Sequence, residues 1–312
     1  MTSRWVEKQV RLKVRLGEIP LFSIHVPLLV LDAHFTDLVA QEPQRTWSEL
    51  PASVAGTLIS SKPVRAPLPR LCVLPDAIRY VPQHYERFYV DVRGSFAEYL
   101  DKFSAKSRAT LRRKLKRFAG VCGGTIEWRE FRQPDAMESF YGLARAVSEK
   151  TYQERLLGVG LPADPQFRQE LHALARQDRA RGYILFHHAQ PIAYLFCSLR
   201  DGGLVLYRYL GYDPQFRRWS PGTLLTYLVL EKLFTEGGAR VFDFTEGGGA
   251  QKQFFATGST QCADVYELRR TVANYLVVVL HAAADSVSTA AVRLLDAIGL
   301  KARVKRFVRS RA

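Results

Sequence analysis

The chain is short of cysteine and short of acid. Four cysteines stand in 312 residues, at Cys72, Cys122, Cys197 and Cys262, and no two of them form a CxxC pair. That spacing signals neither a zinc knuckle nor a disulfide framework, so no metal is expected and a reduced, cytoplasmic chain is the plain reading. Long apolar runs are missing too. Tyr275–Leu280 is the longest near the C-terminus, far below the roughly 20 residues a bilayer requires. The first thirty residues lack the basic start, apolar core and small-residue cleavage site of a secretory signal, so none is expected. No period of about 20–50 residues marks a solenoid. Thirty Asp and Glu face forty-five Lys and Arg, leaving a net charge of +15. This excess favours anionic partners: nucleotides, nucleic acid, acidic carriers or anionic lipid heads.

What is present is a foldable core. Hydrophobic residues make up 47% of the chain, which excludes global disorder. Residues 1–100 read as mixed and irregular, because Pro63, Pro67, Pro69, Pro75 and Pro82 break any long helix. Strand-like runs flank them at Phe22–Val30 and Arg87–Val92. A helix is predicted over residues 104–119, with Ser104 as N-cap, Gly120 as its stop, and Leu111, Leu115 and Phe118 as its apolar stripe. Its remaining surface is basic: Lys106, Arg108, Arg112, Arg113, Lys114, Lys116 and Arg117.

From residue 125 the pattern is regular. A strand is predicted at Thr125–Phe131 and helices at Pro134–Lys150 and Pro165–Arg181. Strands follow at Tyr183–His188, Ile192–Leu199 and Leu204–Gly211, parted by tight turns at Ala189-Gln190-Pro191 and Asp201-Gly202-Gly203. Next come a helix at Pro221–Thr235, a strand at Val241–Phe244, a short helix at 250–256 and a strand at Asp264–Arg270. His187 and His188 invite a metal reading, but neighbours on a strand point to opposite faces. Residues 272–312 read as a basic amphipathic helical tail ending in Lys301, Arg303, Lys305, Arg306, Arg309 and Arg311.

The chemistry is concentrated between Tyr212 and Thr223. A strand leads in and an apolar helix leads out. Ser220 can cap that helix, and Pro221 sits where a missing N–H costs nothing. The first helical turn leaves N–H groups with partial positive charge, an anion site. Gly222 removes a Cβ that would hold a phosphate off the backbone. Arg217 and Arg218 add guanidinium forks that match phosphate oxygens.

Arg217-x-x-Ser220-x-Gly222 resembles the Gln/Arg-x-x-Gly-x-Gly/Ala loop of the GNAT acyltransferase superfamily, with Ser220 in place of the first glycine. The stretch FDFTEGGGAQKQFF, Phe242–Phe255, resembles the CelD and FemAB-type branch, where an Asp-x-x-x-Gly strand end precedes Tyr-Lys on a short helix. Asp243 and Lys252 match; Gln251 stands where the tyrosine would be. The basic helix KSRATLRRKLKRF is similar to this branch as well.

The resemblance implies an α/β (α+β) fold: a GNAT-like mixed sheet flanked by helices, preceded by a degenerate second GNAT-like region. Its domains would be residues 1–103, 104–271 and the tail 272–312. It implies an N-acyltransferase with acyl-CoA, acetyl-CoA or longer, as co-substrate. Leu210, Gly211, Tyr212, Arg217, Arg218, Trp219, Ser220, Pro221, Gly222 and Thr223 would hold the donor. Glu246, Asp243 and Lys252 are the candidate catalytic groups, and Lys150, Tyr152 and Glu154 the acceptor wall. The acceptor would be a small-molecule amine, an amino sugar or a cell-envelope precursor.

Two other readings stay open. The same fold could take its acyl group from aminoacyl-tRNA or an acyl carrier protein, both polyanions suited to the basic helix. A non-enzymatic basic module would instead bind nucleic acid or anionic membrane, the latter through residues 301–311, giving a membrane-peripheral location.

Overall fold

The computed structural model describes residues 4–16, 19–40, 50–151 and 160–297. In chain order the elements begin with β1 (Arg4–Leu16), β2 (Ile19–Asp32), α1 (Phe35–Ala40), β3 (Gly56–Pro63), β4 (Leu71–Val73), β5 (Ala77–Tyr80) and β6 (His84–Asp91). Next are α2 (Phe96–Asp101), α3 (Ala105–Val121), β7 (Trp128–Phe131), α4 (Pro134–Ser148), α5 (Pro165–Arg176), β8 (Ala180–His187), β9 (Gln190–Arg200) and β10 (Leu204–Tyr212). A 3₁₀ helix (Pro214–Trp219), α6 (Pro221–Glu236), β11 (Val241–Asp243), α7 (Ala250–Phe255), β12 (Gly258–Arg269) and α8 (Val272–Ala297) complete the order.

These elements condense into two units. The first takes the described residues up to Arg87, Glu246–Gly248, and those from Ser259 onward. The second takes Phe88–Thr245 and Gly249–Gly258.

In the first unit β1 and β2 form a long antiparallel hairpin, Arg4 opposite Asp32 and Leu16 opposite Ile19. β2 pairs parallel with β3, β3 antiparallel with β12, β12 with β5 and β5 with β4. Leu12, Leu28, Leu58, Tyr80 and Leu268 make its core, and Val278 of α8 packs into it. The proline-rich stretch that looked irregular therefore contributes short strands to a mixed sheet, because long-range pairing overrides weak local propensity.

In the second unit the strands run β6-β11-β10-β9-β8-β7. β10 and β11 are parallel, and the other neighbours are antiparallel. Both faces are covered. Tyr183 and Leu185 of β8, with Ala193, Leu195 and Cys197 of β9, point to one core, shared with α3 and α6. Ile184 and Phe186, with Tyr194 and Phe196, point to the other, shared with α4 and α5. Alternate residues thus enter opposite cores, so these strands read as continuous apolar runs. This is the expected mixed α/β sheet flanked by helices.

Local details differ from expectation. α3 continues past Gly120, and the turn after it is made by Gly123 and Gly124, both at positive φ. The β8–β9 turn is His188-Ala189, with φ of 47° and 63°. A two-residue turn with both central φ positive matches the twist of an antiparallel hairpin.

Candidate active site

The site begins with strands that part. β10 pairs β11 only at Leu204, Val205 and Leu206. β10 then continues to Tyr212, paired with β9 alone among the described residues. The Thr245 hydroxyl donates to Tyr207 O at 3.0 Å, closing the near end of the gap. Arg208 is an extra residue in the β9 ladder, where the register shifts between Tyr207 and Tyr209. Such a bulge bends the strand and breaks its pairing. Past it, Gly211 packs under Tyr194: an added Cβ would lie 2.5 Å from the ring. Leu210, Gly211 and Tyr212 therefore sit on an edge open toward the α6 end.

The connection to α6 is an ordered 3₁₀ helix rather than an open loop. Asp213 is buried, 1% exposed. Its carboxylate accepts from Gln215 N–H at 3.0 Å and from Lys150 Nζ at 3.1 Å. The Ser220 N–H donates to Arg217 O at 3.0 Å. Ser220 itself is left-handed, φ 55°, which explains why the resembled motif has glycine there. Its side chain makes no helix cap. Instead its Oγ accepts from Lys114 Nζ at 3.1 Å. Thr223 and Leu224 N–H groups both donate to Ser220 O, at 2.9 and 3.1 Å, and Pro221 has no N–H. Gly222 carries the remaining first-turn amide. A Cβ on Gly222 would point at Leu210 Cδ2, 3.1 Å away, so its small size also serves the packing of α6 against β10.

Positive charge comes from α3. A cavity of about 440 Å³ is lined by Lys106, Thr110, Lys114, Thr223, Gln251 and Phe254, among others. A smaller one, about 180 Å³, shares Thr110 and Lys114 and adds Arg113, Arg117, Arg218 and Trp219. Five cations and no carboxylate line the two. The Arg117 and Arg218 guanidinium carbons lie 4.9 and 4.8 Å from the Trp219 ring centre, within cation–π range. Arg217 and Arg218 are exposed, while Trp219 is buried. His188 leaves the strand at its turn, so its ring meets that of His187 at 4.4 Å instead of pointing away. Burial first, then the charges of His188 and Arg218, hold His187 below the usual imidazole range.

The other side chains singled out in the sequence take separate positions. Asp243 is fully buried, and its carboxylate accepts from Thr245 N–H at 2.8 Å, bracing the turn after β11. Lys252 places its ammonium 5.8 Å from the Tyr207 ring centre. Gln251, in the tyrosine position, donates to Gly222 O at 3.2 Å and to Thr226 Oγ1 at 3.1 Å, so it ties α7 to the start of α6. Asp243, Gln251 and Lys252 belong to the second unit and Glu246 to the first. Glu246 is exposed. Burial, then Asp264, then Glu246 push the Tyr85 and Tyr266 hydroxyls up. Lys150 is engaged by Asp213; Tyr152 and Glu154 lie outside the described residues.

Sequence reasoning missed Asp213, Lys114 and Lys102. Lys102 Nζ donates to the carbonyls of Phe254, at 3.2 Å, and of Phe255 and Ala256, each at 2.5 Å, closing the end of α7. Burial pushes its ammonium down to about 8. An Asp-Pro before a basic run was the available signal for Asp213, since Asp caps turns readily. Nothing in the sequence places Lys114 or Lys102 against segments more than a hundred residues away.

Residues 105–254 match the family model of the acetyltransferase (GNAT) domain. The match falls almost wholly within the second unit. FemX is similar in fold, with 11% identity, 88% of this chain and 90% of that chain covered, and a TM-score of 0.50. The C-terminal domain of a putative lysylphosphatidylglycerol synthetase from Agrobacterium fabrum is 11% identical over 73% of this chain and 72% of its own, TM-score 0.48. An aminoglycoside acetyltransferase from an uncultured soil metagenomic sample is 14% identical over 41% of this chain and 82% of its own, TM-score 0.31. No curated protein matches the chain.

Proposed function

We propose that the GNAT domain moves an acyl group from acyl-CoA to an amine, in the manner of the CelD and FemAB-type branch. The observation that carries this reading is the pair of cavities that share Thr110 and Lys114 at the start of α6, lined by five cations without a carboxylate. Phosphates are held there by side chains more than by the loop, since several loop amides already donate within the 3₁₀ helix and its caps. The acyl arm lies along the open edge of β10 from Leu210 to Tyr212. A main-chain N–H there polarises the thioester carbonyl. The neutral amine attacks that carbonyl, the C–N bond forms and the C–S bond breaks. The amine's proton leaves to a base and the departing sulfur takes a proton. Glu246, exposed in the loop after β11, is our first candidate base and Asp243 the second. The acceptor is an amino sugar or a cell-envelope amine, and the reaction is cytoplasmic.

Isothermal titration with CoA and acetyl-CoA tests the donor. Saturable binding that weakens with salt supports it; no binding by folded protein sinks it.

One observation favours a second donor. The basic face of α3 includes Arg112 and Lys116, outside both cavities, and the helix has no acid at all. Such a face suits aminoacyl-tRNA or an acyl carrier protein. Binding of either with a steep salt dependence, in a protein that ignores CoA, selects this reading.

A further inference from the structure

α8 is held to the first unit by a polar edge and turns an uncharged face outward. Tyr80 donates its O–H to His281 Nδ1 at 2.6 Å, and His281 Nε2 lies 3.3 Å from Lys13 O. Arg70 pairs with Asp285 at 2.7 Å, and Asn274 Nδ2 donates to Arg269 O at 3.0 Å. Val278 and Ser288 are buried. On the other side Leu276, Leu280, Val287 and Leu294 are 53%, 62%, 68% and 63% exposed. Ala273, Ala283 and Ala290, also exposed, fill the same stripe at three- and four-residue steps. Val272, at 79%, and Tyr275, at 45%, widen it. The one charged side chain described on α8, Asp285, lies on the polar edge and is paired with Arg70. A contiguous apolar face of this kind marks an interaction site.

We infer that this face of α8 is a docking surface for an anionic phospholipid bilayer. Three features select that occupant. The chain runs on from α8 into residues 298–312, where six Lys and Arg meet no acid, complementary to anionic headgroups. Val272 and Tyr275 make the face broader than the two-position seam of a helix pair, as an interfacial helix requires. The stretch Val272–Ala290 is long and apolar enough to cross a membrane by length and composition. Reading contiguous runs alone missed this, because alanine and serine interrupt the larger residues. Its polar edge, however, is engaged by Tyr80, Arg70 and Arg269. The helix therefore lies along the headgroup plane, its apolar side in the acyl boundary.

Co-sedimentation of the full chain with vesicles tests this. The protein is expected to bind mixed phosphatidylcholine and phosphatidylglycerol vesicles at least about tenfold better than phosphatidylcholine alone. Leu276→Ser with Leu280→Ser and Val287→Ser should abolish binding while the circular dichroism spectrum stays unchanged. Lys305→Gln with Arg306→Gln and Arg309→Gln should remove the preference for phosphatidylglycerol. Absence of vesicle binding, or binding that the serine variant retains, overturns the inference. A dimer in solution that the serine variant dissociates, without vesicle binding, assigns the face to a second copy and overturns it as well.

Discussion

Lys114 donates from Nζ to the Ser220 hydroxyl at 3.1 Å, joining the basic helix to the left-handed residue that starts α6. The contact spans 106 residues of chain. It fixes where the cations of α3 stand relative to the first turn of α6.

Ser220→Gly relieves the left-handed strain, worth about 1 kcal/mol, and loses one partly exposed hydrogen bond. The net expectation is a gain of about 0.5 kcal/mol in chemical denaturation. Ser220→Val should lose more than about 1 kcal/mol, because a β-branched residue tolerates φ 55° poorly.

Charge reversal separates the cavity from the rest of α3. Arg113→Glu with Lys114→Glu should weaken CoA binding at least about tenfold by titration calorimetry. Lys116→Glu, on the same helix but outside both cavities, should change it less than about twofold at moderate salt. Equal losses in the two variants would mean a diffuse field rather than a built site.

Gly211→Ala drives a methyl into the Tyr194 ring, whose nearest atom is 2.5 Å from the new carbon. Tyr194 also donates to Ser148 Oγ at 3.1 Å, so its displacement disturbs a buried contact. A loss of about 1–3 kcal/mol is expected in urea unfolding. Adding Tyr194→Ala should cost less than the sum of the single changes, since the clash disappears.

His281 makes stability depend on pH. Burial lowers its folded pKa, outweighing the Lys13 carbonyl that raises it. In the unfolded chain it titrates near the ordinary value of about 6.5. As pH falls, the unfolded state takes up the proton first. Its contribution is therefore complete above about 6.5 and declines below it. Thermal melts at falling pH should show this decline, and His281→Gln should flatten it.

Much of the second unit could be read from the chain. The apolar runs of β8 and β9, the Ser-Pro-Gly start of α6 and the stripe of α3 each follow from local rules. The site was legible only in part. Ser220 looked like a side-chain cap, yet its backbone conformation leaves that role empty. Gly222 looked like room for phosphate, and its neighbour is Leu210. The cavity walls come from α3, whose distance along the chain hides its place against α6. Gln251 shows the same limit: an amide in the tyrosine position reads as a loss, but its two hydrogen bonds to Gly222 and Thr226 appear only once α7 is placed.

The early end of the β10–β11 pairing has a kinetic consequence. Six residues of β10, Tyr207–Tyr212, continue without a strand on that side among the described residues. An unpaired edge of this length exchanges its outward amides with solvent and adheres to extended chains. In the proposed reading the donor lies there and stands in for the missing strand. Deuterium uptake across Tyr207–Tyr212 therefore reports occupancy directly, before any acyl group moves and whatever the acceptor turns out to be.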